Sequence, residues 1–326
     1  MPPPTPSVGV VRPPQPIAPP VVRKLDEVQQ SRRQRVEDSG RRTVIEEPGK
    51  RLIIRQDNRV VIRHDDTDRF RRVGRDFRSD RRPDGSVESF YVRSDGTRVI
   101  TVVDRHGRLL RRYRHDRDGR EINIIDNRRF YTGLAIGVGA LALGVVLNLP
   151  PPRVTIPRER YIVEYDHASD DDLYETLIAP PVEPLERAYS LEEIRENYAL
   201  RDRVRRIDLD TINFEFGAFD VSPDQYGKLE RIARAMEMVL SRNPEAVFLI
   251  EGHTDAVGSE EDNLSLSDRR AETVAQILSE TFGIPPENLV TQGYGEQFLK
   301  VNTQAPERLN RRVAIRNIAS LMAEQR

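Results

Sequence analysis

The sequence predicts an α/β class. Its C-terminal part reads as an α+β sandwich, with helices on a small mixed sheet, behind an N-terminal disordered proline-rich segment and arginine-rich β-hairpin repeats. Three observations carry this prediction. From Ile207 onward, short β-forming runs alternate with helix-period runs. Between 49 and 127, short β-formers are separated by Asp-Gly and His-Gly turns. The chain opens MPPPTPSVGVVRPPQPIAPP, which is extended and proline-rich.

That opening has no basic region followed by an apolar core, so it is not a signal peptide. Export then relies on a later segment or on residues upstream of the first one given. Residues 1–48 read as disordered, with a charged stretch, SRRQRVEDSGRR, compatible with a short helix. From 49 to 127 the runs LIIR, RVVIR, VESFYVR, RVITVV, LLRRY and EINII alternate with PDG (83–85), SDG (94–96), RHG (105–107) and RDG (117–119). This regular spacing suggests a repetitive β-meander, with arginines alternating with apolar residues as on a sheet with one solvated face. Two readings stay open for it: a charged spacer, or a basic surface that touches anionic lipid, polysaccharide or nucleic acid. Interleaved acids and the lack of an aromatic stacking pattern argue against nucleic acid.

YTGLAIGVGALALGVVLNL, residues 131–149, carries no charge. At about 1.5 Å per residue it could cross most of a bilayer's hydrocarbon core. Gly133 and Gly137 form a small-xxx-small pair that permits self-association. Arg128 and Arg129 would place the N-terminal side in the cytoplasm and the C-terminal side outside it. A glycine-rich apolar hairpin or a helix buried in the fold is the alternative. Residues 150–204 read as a linker with one short helix, capped by Ser190 with Glu193 and running to about Arg203.

The C-terminal domain spans 205–320. Its expected elements are a strand over 207–216, a helix over 223–242 stopped by Asn243-Pro244, and a buried strand over 246–253. A second helix over 260–282 ends at Gly283, and LVTQGYG and RRVAIRNI supply two more strands.

Composition narrows the chemistry. There are 326 residues, room for two or three domains, with 37% hydrophobic and 32% charged residues. The absence of cysteine excludes disulfides, thiol nucleophiles and thiolate metal sites. A net charge of -1 hides a split: residues 1–130 carry net +11 and the rest net -12.

The blocks Gly-His-Thr-Asp at 252–255, Asn263, Leu266-Ser267, Arg270-Ala271, Gly293-Tyr294-Gly295 and Asn310-Arg311-Arg312 recur in order over roughly 205–318. This stretch, about a third of the chain, resembles the OmpA-like peptidoglycan-binding family of OmpA porins, peptidoglycan-associated lipoproteins and MotB-type stators. The resemblance implies a non-enzymatic wall anchor whose ligand is the diaminopimelate stem peptide. It implies that Asp255 faces the ligand ammonium, that Arg270 forks its carboxylate, and that Asn263 and Arg311 line the pocket. Arg269 falls outside the motif register and reads as a solvated helix residue; Arg312 reads as structural. QFLK (297–300) and PER (306–308) replace the family's usual proline and Gly-Arg, which leaves the 297–309 loop open.

No metal site, cofactor or catalytic residue is expected. His253 and Asp255 make only a pair, and His64, His106, His115 and His167 lie far off in sequence. The apolar segment holds no ionisable residue for a proton-carrying stator, and no acid/base pair supports a wall hydrolase. The expected partners are therefore peptidoglycan and a membrane reached through 131–149. The expected location is the bacterial cell envelope with the C-terminal domain periplasmic. The alternative is a membrane-tethered protein whose basic β region binds an anionic surface, with the wall domain as an address.

Overall fold

The computed structural model describes residues 24–56, 58–105, 107–131 and 149–323. The expected membrane segment falls almost wholly outside them, and no described helix is long and apolar enough to cross a membrane.

Structure begins earlier than the sequence suggests. Helix α1 (Leu25–Gln30) leads into an antiparallel sheet of β1 (Arg33–Glu37), β2 (Arg42–Glu47), β3 (Arg51–Gln56) and β4 (Arg59–Arg63), in that order. Residues 24–48 are therefore ordered, against the expectation of disorder. Their composition is too charged to form a core alone, but Val28 and Val44 are fully buried because other parts of the chain cover them.

Helix α2 (Thr67–Val73) connects to a second meander: β5 (Arg75–Arg81), β6 (Val87–Val92), β7 (Arg98–Val103), β8 (Leu109–His115) and β9 (Glu121–Asp126). Its hairpins are closed at the four predicted turns. In each, the glycine (85, 96, 107 and 119) has φ between 76° and 87°, and the flanking residues bond across a three-residue loop, as Arg82 and Ser86 do. Aspartates complete the turns: Asp84 and Asp95 accept from the backbone two residues on, and Asp104 and Asp116 from four residues on.

Beyond the short helices α3 (Arg128–Tyr131) and α4 (Arg158–Tyr161), the C-terminal unit assembles. Its sheet has the order β10 (Ile162–Glu164), β11 (Arg206–Leu209), β14 (Val313–Asn317), β12 (Phe248–Gly252), β13 (Leu289–Gly293) and is mixed. One face packs on α5 (Asp170–Ile178), α8 (Glu230–Arg242) and α9 (Glu260–Glu280). The other is covered by α6 (Leu191–Glu196), α7 (Tyr198–Arg201) and Ile124 and Ile125 of β9. Residues 150–204 are thus no linker: they supply an edge strand, α5 and most of the second apolar layer.

The α6 capping box is as expected, with Ser190 accepting from Glu193 and Glu193 from Ser190. The helix breaks at Asn197, whose side chain caps α7 by accepting from Leu200. The strand expected over 207–216 stops at Leu209. The helix expected from 223 starts as a 3-10 turn through Gly227 and becomes α-helical at Glu230.

The two meanders dock on the C-terminal unit through ion pairs. Arg51 of β3 pairs with Asp268 of α9 at 2.9 Å. Arg69 of α2 pairs with Glu272 at 2.6 Å and donates to the Leu289 carbonyl at 2.9 Å. Arg93 and Arg114 converge on Glu287 at 3.2 and 3.0 Å, and Arg59 and Arg63 on Glu196 at 3.0 and 3.2 Å. The opposite net charges of the two halves meet inside one molecule.

Two motif glycines have a packing reason. A Cβ on Gly252 would lie 1.9 Å from the Ser267 carbonyl oxygen, and one on Gly293 would lie 2.4 Å from the Asp268 backbone nitrogen. Helix α9 therefore rests directly on β12 and β13. Gly252→Ala must push this helix away and is expected to cost about 1–3 kcal/mol or more. A thermal midpoint matching the parent would contradict such close packing.

Candidate functional site

Asp255 sits three residues past the end of β12, and Arg270 sits mid-way along α9. The loop from 213 to 221 runs past Arg270, and Arg311 comes from the turn before β14. The structure gathers Asp255, Arg270 and Arg311 into one neighbourhood. Burial, then the nearby Arg311 charge, lowers the Arg270 pKa to about 10, with Asp255 pulling the other way. Arg270 stays charged at neutral pH.

The pairing within this group differs from the expected clamp. Arg311 Nη1 lies 2.6 Å from Asp255 Oδ2, and the Glu307 backbone N–H donates to the same oxygen at 3.3 Å. Arg270 donates instead to the backbone: Nε to the Ala218 carbonyl at 3.0 Å and Nη2 to the Glu215 carbonyl at 3.3 Å. Its guanidinium also stacks over the Phe214 ring, 4.7 Å from the centroid. The Arg311 side chain is 43% exposed and that of Asp255 10%, so Arg311 is the member a solvent-borne ligand meets first. The 213–221 loop carries Phe216, which is 99% exposed.

Asn263 does not join this group. It donates to Glu296 at 2.6 Å and tethers the segment after β13 to α9. Arg312 is structural as expected: it is buried, donates to the Phe298 carbonyl at 3.2 Å and lies 3.8 Å from Asp208. Its bond to Phe298 also fixes part of the 297–309 loop.

Arg269 contradicts the expectation of a solvated residue. It is buried, donates to the Pro48 carbonyl at 2.9 Å and pairs with Glu47 at 3.2 Å. Glu47 also accepts from Ser265 and Arg32. In an isolated C-terminal domain this face of α9 would be wet; the first meander covers it.

His253 is buried beside Tyr294, with ring centroids 5.7 Å apart, and its pKa falls to about 3 through burial and the Arg312 charge. The Asp255 carboxylate is held by Arg311. Among the described residues, ligand atoms of His64, Asp66 and Glu272 do lie within 4.8 Å of one another. The positive charge there comes from arginine: Arg112 holds Asp66 at 2.8 Å and Arg69 holds Glu272 at 2.6 Å. His64 completes the network through Asp268, 3.1 Å from its Nδ1. Sequence reading missed this cluster because its members are far apart in the chain; the one local signal was the -RHDD- run at 63–66.

Comparison with known proteins agrees with the motif blocks. The model of the OmpA family matches residues 213–312. Outer membrane porin F of Pseudomonas fluorescens is 35% identical over 113 residues, covering 34% of this chain and 33% of the porin. The outer-membrane lipoprotein YfiB of Pseudomonas aeruginosa is 41% identical over 97 residues, 29% of this chain and 55% of that protein. The peptidoglycan-associated lipoprotein of Haemophilus influenzae is 33% identical over 100 residues, 31% of this chain and 61% of the lipoprotein. Among solved structures, the peptidoglycan-associated lipoprotein of Burkholderia pseudomallei matches 32% of this chain and 86% of that one at 26% identity, with a TM-score of 0.27. The chain spans about a third of the length of the porins it matches. Residues 213–312, which bring Asp255, Arg270 and Arg311 together within the α/β unit, match the OmpA family model and mark an OmpA-like domain at the C-terminus.

Proposed function

We propose that this chain binds peptidoglycan without catalysing a reaction and holds a bacterial envelope protein to the cell wall, with its C-terminal domain in the periplasm. The grouping of one carboxylate and two guanidiniums, Asp255 with Arg270 and Arg311, carries the reading. A ligand bearing an ammonium and a carboxylate on one carbon, as diaminopimelate does, matches that charge pattern. Relatives named as peptidoglycan-associated lipoproteins support the same ligand.

Binding proceeds by exchange. The ligand ammonium takes over Asp255, which releases Arg311, and the ligand carboxylate competes with two backbone carbonyls for Arg270. The bonds from Arg270 to the carbonyls are already charge-assisted on the donor side, so the gain on exchange comes from the ionised acceptor, which takes two guanidinium N–H groups as a bidentate pair. Asn263 acts on the site by holding the segment after β13 in place.

Co-sedimentation of the full chain with diaminopimelate-type sacculi tests this. The parent is expected to pellet, and Asp255→Ala and Arg270→Ala each to lose at least about tenfold in affinity while keeping the parent's circular dichroism. A folded parent that stays in the supernatant, or folded variants that pellet as it does, would sink the proposal.

A further inference from the structure

We propose that the cavity enclosed by the two meanders and the C-terminal domain binds an amphipathic anion, a carboxylate or phosphate joined to an apolar body. The cavity has a volume of about 640 Å³, within the range of small-molecule sites. It is distinct from the Asp255 group, none of whose members lines it.

The sheet register builds its polar wall. Ser79 faces Ser89, Ser89 faces Thr101 and Thr101 faces Arg112 across β5, β6, β7 and β8. Side chains opposite one another in a sheet share a face, so three hydroxyls lead in a row to a guanidinium, and all four residues line the cavity. The adjacent row on that face is apolar: Val87 faces Val103, and Val103 faces Leu109. One wall thus offers a polar track beside an apolar one, which matches a molecule with a head and a tail.

Arg112 marks the head position. It is 3% exposed, and Nη2 donates to Asp66 at 2.8 Å. Its Nε and Nη1 are buried and have no hydrogen-bond partner among the described residues. Buried donors of a charged group are costly to leave unmet. Across the cavity, Arg195 of α6 has a buried Nε in the same condition.

The surrounding charges favour an anion over a cation. Arg51, Arg69 and Arg112 balance Asp66, Asp268 and Glu272, and His64 among them is held protonated, with its pKa raised to about 9. The cluster beside the cavity therefore carries an excess of one positive charge, which a carboxylate or phosphate head neutralises.

Calorimetric titration of the full chain with decanoate, decyl phosphate, decanol and inorganic phosphate tests the site. Decanoate or decyl phosphate is expected to bind saturably, and decanol and inorganic phosphate at least about tenfold more weakly. A preference between the two amphiphiles identifies the head group. Arg112→Met keeps the side-chain volume and removes the donors; it is expected to lose the amphiphile by at least about tenfold. Thr101→Val, which leaves the Arg112–Asp66 pair in place, is expected to weaken binding more modestly with the fold unchanged, so the polar track is tested even if Arg112→Met fails to fold. Decanol binding as well as the anions, no saturable binding to the folded parent, or affinity unchanged in a folded Arg112→Met overturns the proposal.

Discussion

Glu287→Ala is expected to cost about 3–5 kcal/mol, a large share of the roughly 5–15 kcal/mol by which a typical domain is stable. Glu287 is fully buried in the 3-10 turn that precedes β13. Its Oε2 accepts from the Tyr91 hydroxyl at 2.9 Å, and its Oε1 accepts from Arg93 at 3.2 Å and Arg114 at 3.0 Å. Removing it strands the Arg114 guanidinium and the Tyr91 phenol at a dry interface, while Arg93, which is partly exposed, keeps Asp95 at 3.2 Å. Arg114 keeps Asn288 and the Pro244 carbonyl, but both are neutral and leave its charge uncompensated. The loss should act first on the junction between the second meander and the C-terminal domain, because all three partners belong to the meander. Chemical denaturation should therefore split into two transitions, with the meander opening first and becoming susceptible to protease. Glu287→Gln keeps an acceptor for Tyr91 and should fall between parent and alanine variant. A single transition with the parent's midpoint would show that the junction does not depend on this carboxylate.

The same junction explains what the sequence revealed and what it hid. The hairpins of the second meander were legible because the turn glycine and its aspartate act locally; four turns recur with one geometry. The charge split between the halves was equally plain, but its meaning was not. Alternation of arginine with apolar residues identifies a two-faced sheet, and it says nothing about what meets the second face. Here the inward arginines, Arg51, Arg93 and Arg114, meet acids more than 170 residues away in sequence. Residues 24–48 and 150–204 were misread for the same reason. Each is too polar or too broken by proline to form a core alone, and each is ordered by surfaces supplied from elsewhere.

The grouping of three of the four candidate residues was legible, and their pairing was not. Ordered motif blocks singled out Asp255, Arg270 and Arg311, and the fold places them together. Spacing alone could not show that Asp255 holds Arg311 or that Arg270 is occupied by the carbonyls of residues 215 and 218. Nor could it separate residues that touch a ligand from those that build the frame. Gly252 and Gly293 belong to the frame, since α9 leaves no room for a Cβ at either. Arg269 stands next to Arg270 in sequence, yet its ion-pair and carbonyl partners, Glu47 and Pro48, belong to the first meander.

Stability should peak near neutral pH, with the alkaline limb and the start of the acid limb each traceable to one buried histidine. His64 lies under the first meander and faces Asp268 and Glu272 of α9, Asp66, Thr291 of β13 and Arg51 of β3. Burial alone would discharge it, but Asp268 and then Asp66 outweigh burial and raise its pKa to about 9. Its contribution is complete below the unfolded value of about 6.5 and is lost as pH climbs to about 9, on the order of 3 kcal/mol. His253 does the reverse. Burial and Arg312 outweigh Glu251 and depress its pKa to about 3, so the fold accepts only the neutral ring. Stability that is complete above about 6.5 is lost as pH falls toward 3, on the order of 5 kcal/mol. Carboxylates held low in the fold, Asp66, Asp208 and Glu251 among them, begin to lose their contribution below about pH 5.5, as their unfolded counterparts protonate, so between about pH 5.5 and 6.5 the slope belongs to His253. Urea midpoints measured from pH 4 to 9.5 should trace a dome. His64→Gln should lower the peak and flatten only the alkaline limb, and His253→Asn should flatten the stretch between about pH 5.5 and 6.5 and make the slope below it shallower. An alkaline limb that persists in His64→Gln would remove this histidine from the network that ties the first meander to α9.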